Sequence, residues 1–363
     1  MKISVEREQF ADAVTWVLRS VSSRATLPAL GGVLFDAATK TLRLSGTDLE
    51  LAANAAIDAN VEEDGKIVLP GRVLGEIARS LPEGAVRIEA SGGQARITCG
   101  SAEFTLRALP LEDFPNLVAP EGAPSGTVDA AVFVSAIGQV TRAASHDEAR
   151  PVLTGTLVDV TPEKITLVAT DSYRLAVREI AWSGPAEGIK RVIPARALQE
   201  AARAADGDGS ITITLGESQA AFEVGGRKLT TRLIEGEFPN WRQLVPNDLP
   251  NTMAINRELF LEAVRRVGIL AQSGAPVRIE LGPEGARLKA GAQDLGEAAE
   301  HVDGKFEGEA LTVAFNPTYL VDGLNAVEGS DATLAARDGL KPAILRATGD
   351  ESGFLYLVMP VRI

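Results

Sequence analysis

Cysteine is nearly absent: Cys99 is the one thiol in 363 residues. An intrachain disulfide and a four-ligand structural zinc site are therefore excluded, and Cys99 reads as a small buried hydrophobe. Histidine is almost as scarce. His146 and His301 lie far apart, so a paired-histidine metal motif cannot form. The phosphate-cradling G-x-x-x-x-G-K-[S/T] loop, the G-x-G-x-x-G turn and the G-x-S-x-G nucleophile elbow are all missing. Carboxylate pairs such as Asp48/Glu50 and Asp171/Glu179 arise freely among 49 acidic residues and assign no acid or base. No catalytic residue, metal or cofactor is expected. Aromatics make up 5%, too few for extensive base stacking. No apolar run approaches the roughly 18 residues of a membrane span, and MKISVEREQF carries charge where a secretory signal would be apolar. A soluble, cytoplasmic protein without membrane partners is expected. Basic charge is also in deficit. With 36 Lys and Arg against 49 Asp and Glu, a net charge of -13 argues against a surface that clings generally to nucleic acid.

What is present is repetition. Phe10-Ala-Asp-Ala-Val, Phe133-Val-Ser-Ala-Ile and Phe260-Leu-Glu-Ala-Val recur at intervals of 123 and 127 residues. Val68-Leu-Pro70-Gly-Arg, Ile193-Pro194-Ala-Arg and Phe315-Asn316-Pro-Thr keep the same step. Gly46-Thr-Asp48 echoes Ala169-Thr-Asp171, and Glu112-Asp-Phe-Pro-Asn116 echoes Gly236-Glu-Phe-Pro-Asn240, with no clear third copy of either. Ordered matches at near-constant spacing imply three tandem units. Pro/Gly-rich stretches put their boundaries at 1–124, 125–250 and 251–363.

Each unit carries two amphipathic helices. The first begins near the repeated Phe, with apolar residues at offsets 0, 3, 4 and 7: Phe10, Ala13, Val14, Val17; Phe133, Ala136, Ile137, Val140; Phe260, Ala263, Val264, Val267. The second starts after Pro70, Pro194 or Asn316, where proline in the first turn and asparagine as a cap suit helix starts. Segments 32–36, 41–46, 86–90, 95–99 and 103–109 read as short strands separated by turn residues. The fold class is α+β, with two helices backed by antiparallel sheet in each of three copies.

Arginine marks the helix faces. At about 100° per residue, Arg72, Arg79, Arg196 and Arg203 point away from the apolar stripe of the second helices. Arg19 and Arg142 do so on the first helices, and Arg265 and Arg266 flank that direction in the third copy. The six helical segments carry ten basic and eight acidic side chains, so the net negative charge resides elsewhere. Glu76, Glu200 and Asp322 recur on the flank of this face. A handful of Arg-phosphate contacts would bind DNA without reading sequence.

With these repeats in place, the chain resembles the bacterial DNA polymerase III beta subunits, the sliding clamps, from end to end. Met1-Lys-Ile-Ser-Val-Glu-Arg-Glu, Thr26-Leu-Pro-Ala-Leu30, Gly46-Thr-Asp-Leu-Glu50, Ala169-Thr-Asp-Ser-Tyr-Arg-Leu-Ala176, Phe238-Pro-Asn-Trp241 and the terminal Tyr356-Leu-Val-Met-Pro-Val-Arg-Ile363 carry the likeness. The resemblance implies half of a closed ring: a head-to-tail homodimer whose helices line a hole holding double-stranded DNA topologically, without sequence specificity. It implies a cleft for short linear motifs of the replicative polymerase, the clamp loader and repair proteins. The matching cleft positions are Leu153, Thr170, Tyr173, Arg174, Leu175, Pro239, Leu244, Asn316, Tyr319, Val358, Met359, Pro360, Val361 and Arg362. Gln243 stands where some members carry arginine, and Ser172-Tyr173 replaces Gly-His. Dimer contacts carry over to Phe104 and Leu106 on an edge strand, opposite Ile269 and Leu270. DNA-facing positions are Arg24, Arg72, Arg79, Arg142, His146, Arg150, Arg196 and Arg203.

The leading expectation is a non-catalytic processivity clamp. Two alternatives stand beside it, a clamp paralogue serving repair or drug tolerance and an enzyme on a triplicated α+β scaffold. The missing nucleophile, metal and phosphate-loop motifs weigh against the enzyme.

Overall fold

Among the described residues, a strand-helix-strand-strand-strand motif occurs six times in succession. The computed structural model describes all residues except 23–26, 116–119, 186–187, 206–208, 272–274, 293–294, 350–352 and 363. The first two motifs are β1 (Lys2–Glu6), α1 (Arg7–Val17), β2 (Gly32–Ala38), β3 (Thr41–Thr47), β4 (Leu51–Asp58), then, after a short β5 (Asn60–Glu63), β6 (Gly65–Pro70), α2 (Gly71–Ser80), β7 (Ala85–Ser91), β8 (Gln94–Cys99), β9 (Ala102–Arg107). The next two are β10 (Ser125–Asp129), α3 (Ala130–Val140), β11 (Gly155–Val160), β12 (Lys164–Thr170), β13 (Arg174–Ala181) and β14 (Ile189–Pro194), α4 (Ala195–Ala205), β15 (Ser210–Leu215), β16 (Gln219–Val224), β17 (Arg227–Arg232). The last two are β18 (Asn251–Asn256), α5 (Arg257–Gly268), β19 (Val277–Gly282), β20 (Gly285–Ala292), β21 (Gly296–Val302) and, after β22 (Gly304–Glu307), β23 (Leu311–Phe315), α6 (Pro317–Ala326), β24 (Asp331–Ala336), β25 (Ala343–Ala347), β26 (Phe354–Val358). All six helices expected from apolar periodicity are present.

The chain divides into two compact units, Met1–Ala131 with Arg196–Leu233, and Val132–Ala195 with Ile234–Ile363. In the first unit the sheets run β5-β1-β7-β8-β9 and β10-β15-β16-β17-β4-β3-β2-β6. In the second they run β14-β11-β12-β13-β26-β25-β24-β18-β22 and β21-β20-β19-β23. Each motif's first strand crosses to the three-strand meander of its neighbour, so motifs interlock in pairs. Two seams then join last strand to last strand, with Leu229 opposite Ala53 between β17 and β4, and Val177 opposite Leu355 between β13 and β26. Among the described residues, β9 and β21 are the motif-ending strands left at a sheet edge.

Burial explains the strand patterns. Strand β8 alternates buried and exposed residues, as a sheet with one wet face must. In contrast, β11 is buried throughout and β12 nearly so, because both sheet faces are covered. On one face Leu157, Val168, Leu175, Val177, Val192 and Leu357 form a core with Trp241, closed over by Ile234, Phe238 and Val245.

The second helices start after Pro70 and Pro194, as expected, at Gly71 and Ala195, but the prolines end the edge strands β6 and β14 and do not lie in the first turn. A proline without an N–H is tolerated at such an edge position. Pro317 does lie in the first turn of α6, after Asn316, whose side chain accepts from the Thr318 N–H at 2.9 Å. The repeated Thr-Asp also proves structural. Asp48 Oδ1 accepts from the N–H groups of Glu50 and Leu51, and Asp171 Oδ1 from those of Tyr173 and Arg174. Leu49 and Ser172 sit at φ 79° and 83° within these turns. A turn with the same hydrogen bonding occurs at Asp338, between β24 and β25, where Oδ1 accepts from the N–H groups of Leu340 and Lys341; the β20–β21 turn, which corresponds to β3–β4 and β12–β13, includes residues 293–294, outside the described residues. The Asp338 turn follows Arg337 in place of threonine and sits in a longer loop between the first two strands of its meander, so it resembles the Asp48 and Asp171 turns in hydrogen bonding and not in position.

Glycine separates two packing situations on the helices. A methyl at Gly323 of α6 would stand 2.6 Å from the fully buried Tyr356 ring, whereas at Gly138 of α3 it would meet nothing within 4 Å. Gly138→Ala should raise stability by about 0.5–1 kcal/mol through helix propensity. Gly323→Ala should lower it, because about 1–3 kcal/mol of overpacking exceeds that gain. Urea denaturation of both variants checks the opposite signs.

Candidate functional site

The apolar sheet face under Trp241 is not covered to its end. Where cover stops, a cavity of about 380 Å³ opens, and Leu175 and Leu357 belong both to that core and to the cavity wall. The short turn Trp241–Gln243 anchors the other wall: Trp241 is buried, and Gln243, Leu244 and Pro246 then border the opening. Arg242 steadies this turn, its guanidinium 4.5 Å from the Trp241 ring and 3.5 Å from Asp159. The tail supplies Met359, whose N–H donates to the Tyr173 carbonyl at 2.8 Å, while Val361 donates to Ala314. The Asp171 turn brings Ser172, and the Asp338 turn brings Lys341 and Pro342. An apolar slot with a few polar groups at its rim suits an extended segment that contributes one or two apolar side chains.

Arg174 organises the floor. Its Nε donates to Asp171 Oδ2 at 2.9 Å, one Nη donates to Asp322 on α6 and approaches the Tyr356 hydroxyl at 3.4 Å, and the guanidinium lies 4.6 Å from the Tyr319 ring centre. Tyr319 stacks on Tyr173, with centroids 6.3 Å apart and planes 20° off parallel. Burial disfavours the charge on Arg174, yet Tyr356, Asp322 and Asp171 outweigh it and raise its pKa above that of an ordinary guanidinium. Burial pushes the Tyr356 phenol well up, with Arg174 pulling partly against it. Burial, then Asp171, raises Tyr319. The cluster therefore keeps a charged arginine among neutral phenols at neutral pH.

Of the expected cleft residues, Thr170, Arg174, Leu175, Leu244 and Met359 line the cavity. Tyr173 and Tyr319 form the stack alongside, and Asn316 caps α6. Leu153 and Val358 are buried without reaching the lining, and Pro239 lies just before Trp241. Pro360, Val361 and Arg362 continue the tail, while Ile363 lies outside the described residues. Sequence reasoning missed Pro246, Lys341, Pro342 and Leu357. Leu357 sits inside the recognised tail motif, and Lys341 and Pro342 follow the Asp338 turn, which no sequence repeat marks.

The arginines separate by partner. In the first unit Arg72, on α2, is 93% exposed with Glu76 3.6 Å away, and Arg79 is exposed on the same helix. Arg196 Nη1 donates to Asp48 Oδ2 at 2.8 Å, and Arg203 pairs with Glu200, which also accepts from Arg19 at 3.2 Å. Glu200, expected on the flank, is therefore buried beneath two arginines, because its position on α4 turns towards the end of α1. In the second unit Arg142 Nε donates to the Gly138 carbonyl, and Arg150 donates to Asp147 and to Ser172 Oγ beside the exposed His146. The hydrogen bond from Arg150, with the Ala149 N–H, holds the Asp147 carboxyl below its usual pKa. Arg24 lies outside the described residues.

Phe104 and Leu106 are half-buried on edge strand β9; Ile269, just past α5, is 69% exposed. Leu270 follows it directly. Among the described residues no cluster of three metal-ligating side chains occurs, and no helix is long and apolar enough to cross a membrane.

Comparison with known proteins joins these features. Residues 1–118, 127–240 and 242–362 match in order the N-terminal, central and C-terminal domains of the DNA polymerase III beta subunit. The beta sliding clamp of Streptomyces coelicolor is 40% identical over 376 aligned residues, covering all of both chains. The solved sliding clamp of Bacillus subtilis aligns with a TM-score of 0.95 at 29% identity, over 100% of this chain and 99% of that one. The Pseudomonas aeruginosa clamp bound to griselimycin aligns over all of both chains with a TM-score of 0.96 at 27% identity.

Proposed function

Because this chain belongs to the DNA polymerase III beta subunit family, and so is a DNA sliding clamp and a non-catalytic processivity factor, we propose that two copies close head to tail around duplex DNA and tether the replicative polymerase. The observation that carries the closure is the seam pattern. The last strand of an odd-numbered motif pairs with that of the motif three further on: β4 with β17, and β13 with β26. Among the described residues the fifth motif's last strand, β21, lacks that partner, and the second motif's last strand, β9, is unused. Continuing the pattern joins β21 of one copy to β9 of the next, which removes two exposed edges prone to uncontrolled pairing. Ile269 and Leu270 then face Phe104 and Leu106. The family domain spans support the division 1–124, 125–250 and 251–363. Whole-length identity to a beta sliding clamp favours the replicative reading over a paralogue, and action on replicating DNA fits a cytoplasmic protein.

Within the ring, Arg24, Arg72, Arg79, Arg142, His146, Arg150, Arg196 and Arg203 face the duplex and contact phosphate weakly, since retention is topological. The cavity receives short linear motifs from the polymerase, the clamp loader and repair proteins. Met359, flexible and polarizable, lets one slot accommodate several sequences.

Sedimentation should give about twice 38.1 kDa at micromolar concentration. Ile269→Glu with Leu270→Glu should yield folded monomers, because burying unpaired charge in an apolar contact costs several kcal/mol. A monomer for the unaltered protein contradicts the closure. Deleting Met359 to Ile363 should weaken binding of a polymerase-derived Q-L-x-L-F-type peptide by about 2 kcal/mol or more, as loss of a central anchor does, and leave the dimer intact. Calorimetry on a truncated dimer of unchanged melting temperature checks this, and unchanged affinity would remove the tail from the cleft.

A further inference from the structure

We propose that Glu200 and Asp48 act as built-in counterions that limit how firmly the arginines of the first unit hold duplex DNA. The inference rests on the DNA-facing reading of Arg196 and Arg203. Three guanidinium groups and two carboxylates form one connected cluster. Glu200, at 8% exposure, uses both oxygens: Oε2 accepts from Arg19 Nη1 at 3.2 Å and Oε1 accepts from Arg203. Asp48 spends Oδ1 on its own turn and offers Oδ2 to Arg196 at 2.8 Å. Arg196 also donates to the Arg19 carbonyl at 3.2 Å, closing the network.

The arginine side chains remain 39–58% exposed, so each can reach a passing phosphate. Contact nevertheless requires sharing or replacing an anion the arginine already holds. Binding to a free cation releases the counterions condensed on DNA, and that release drives association. When the arginine comes from a carboxylate, the freed carboxylate recruits a cation from solution, so net ion release falls and the contact weakens. Exchange between two similar anionic partners also leaves each phosphate easy to abandon. A clamp that must move along DNA acquires low friction from this arrangement, while topology supplies retention.

The test uses the full-length dimer and a short fluorescent duplex titrated at several salt concentrations. Glu200→Gln should bind about 3- to 10-fold more tightly at low salt, with a log-log salt slope steeper by roughly 0.9 for each further phosphate that an arginine engages. Asp48→Asn, which keeps the turn-capping oxygen, should act in the same direction and covers the case in which Glu200→Gln perturbs folding. Glu163→Gln removes the same charge from the second unit and should leave both quantities unchanged. Adding Arg203→Ala to Glu200→Gln should abolish the tighter binding. Equal or weaker binding by both folded variants, or an equal tightening from Glu163→Gln, overturns the proposal. Unaltered DNA binding by an Arg196→Ala, Arg203→Ala variant of the native chain overturns the DNA-facing reading and this inference with it.

Discussion

Backbone groups at a sheet edge must find partners, and in this chain that requirement governs everything larger than a single motif. Six β-α-β-β-β motifs each finish on a strand with one unsatisfied side. Four of those strands satisfy one another at the two seams, where antiparallel hydrogen bonding fuses meanders into sheets of eight and nine strands. The seam between β13 and β26 also creates the candidate cleft. It brings the Asp171 turn, the Asp338 turn and the tail beyond Val358 to one sheet end, where an apolar face stops short of its cover.

The same pairing explains the tie between tail and floor. Tyr356 on β26 receives Arg174 from β13, and α6 contributes Asp322 and Tyr319 to the same guanidinium. Removing one partner from such a buried group leaves an uncompensated charge, which is costly in low dielectric. Gly323 allows α6 to approach the Tyr356 ring closely enough for this arrangement. The floor of the cavity is therefore already packed and hydrogen-bonded within the chain.

Much of this was legible in the sequence because helices announce themselves locally. The Phe10, Phe133 and Phe260 periodicities located three helices, and the repeated second helices followed. The sixfold motif was not legible, because a strand that crosses to a neighbour's sheet has no periodicity different from one that stays. Lys341 and Pro342 were missed because the loop from β24 to β25 is not one of the repeated Thr-Asp positions, and only the pairing of β25 with β26 brings it beside the tail. Charge was half legible. Helical spacing turned Arg196 and Arg203 away from the apolar stripe, but the partners Asp48 and Glu200 became visible only once α4 and the β3–β4 turn were placed in one unit. A net charge of -13 does not stand against the proposed DNA contact, because the helical segments themselves carry a slight excess of basic side chains.

The central claim is that retention comes from closure and not from affinity, and the most direct measurement is release of clamp loaded on nicked circular DNA before and after the circle is cut. The account predicts long residence on the intact circle, little changed by moderate salt, and rapid loss once linear ends appear. Equal residence on the circular and linear forms, falling with salt on both, would contradict it.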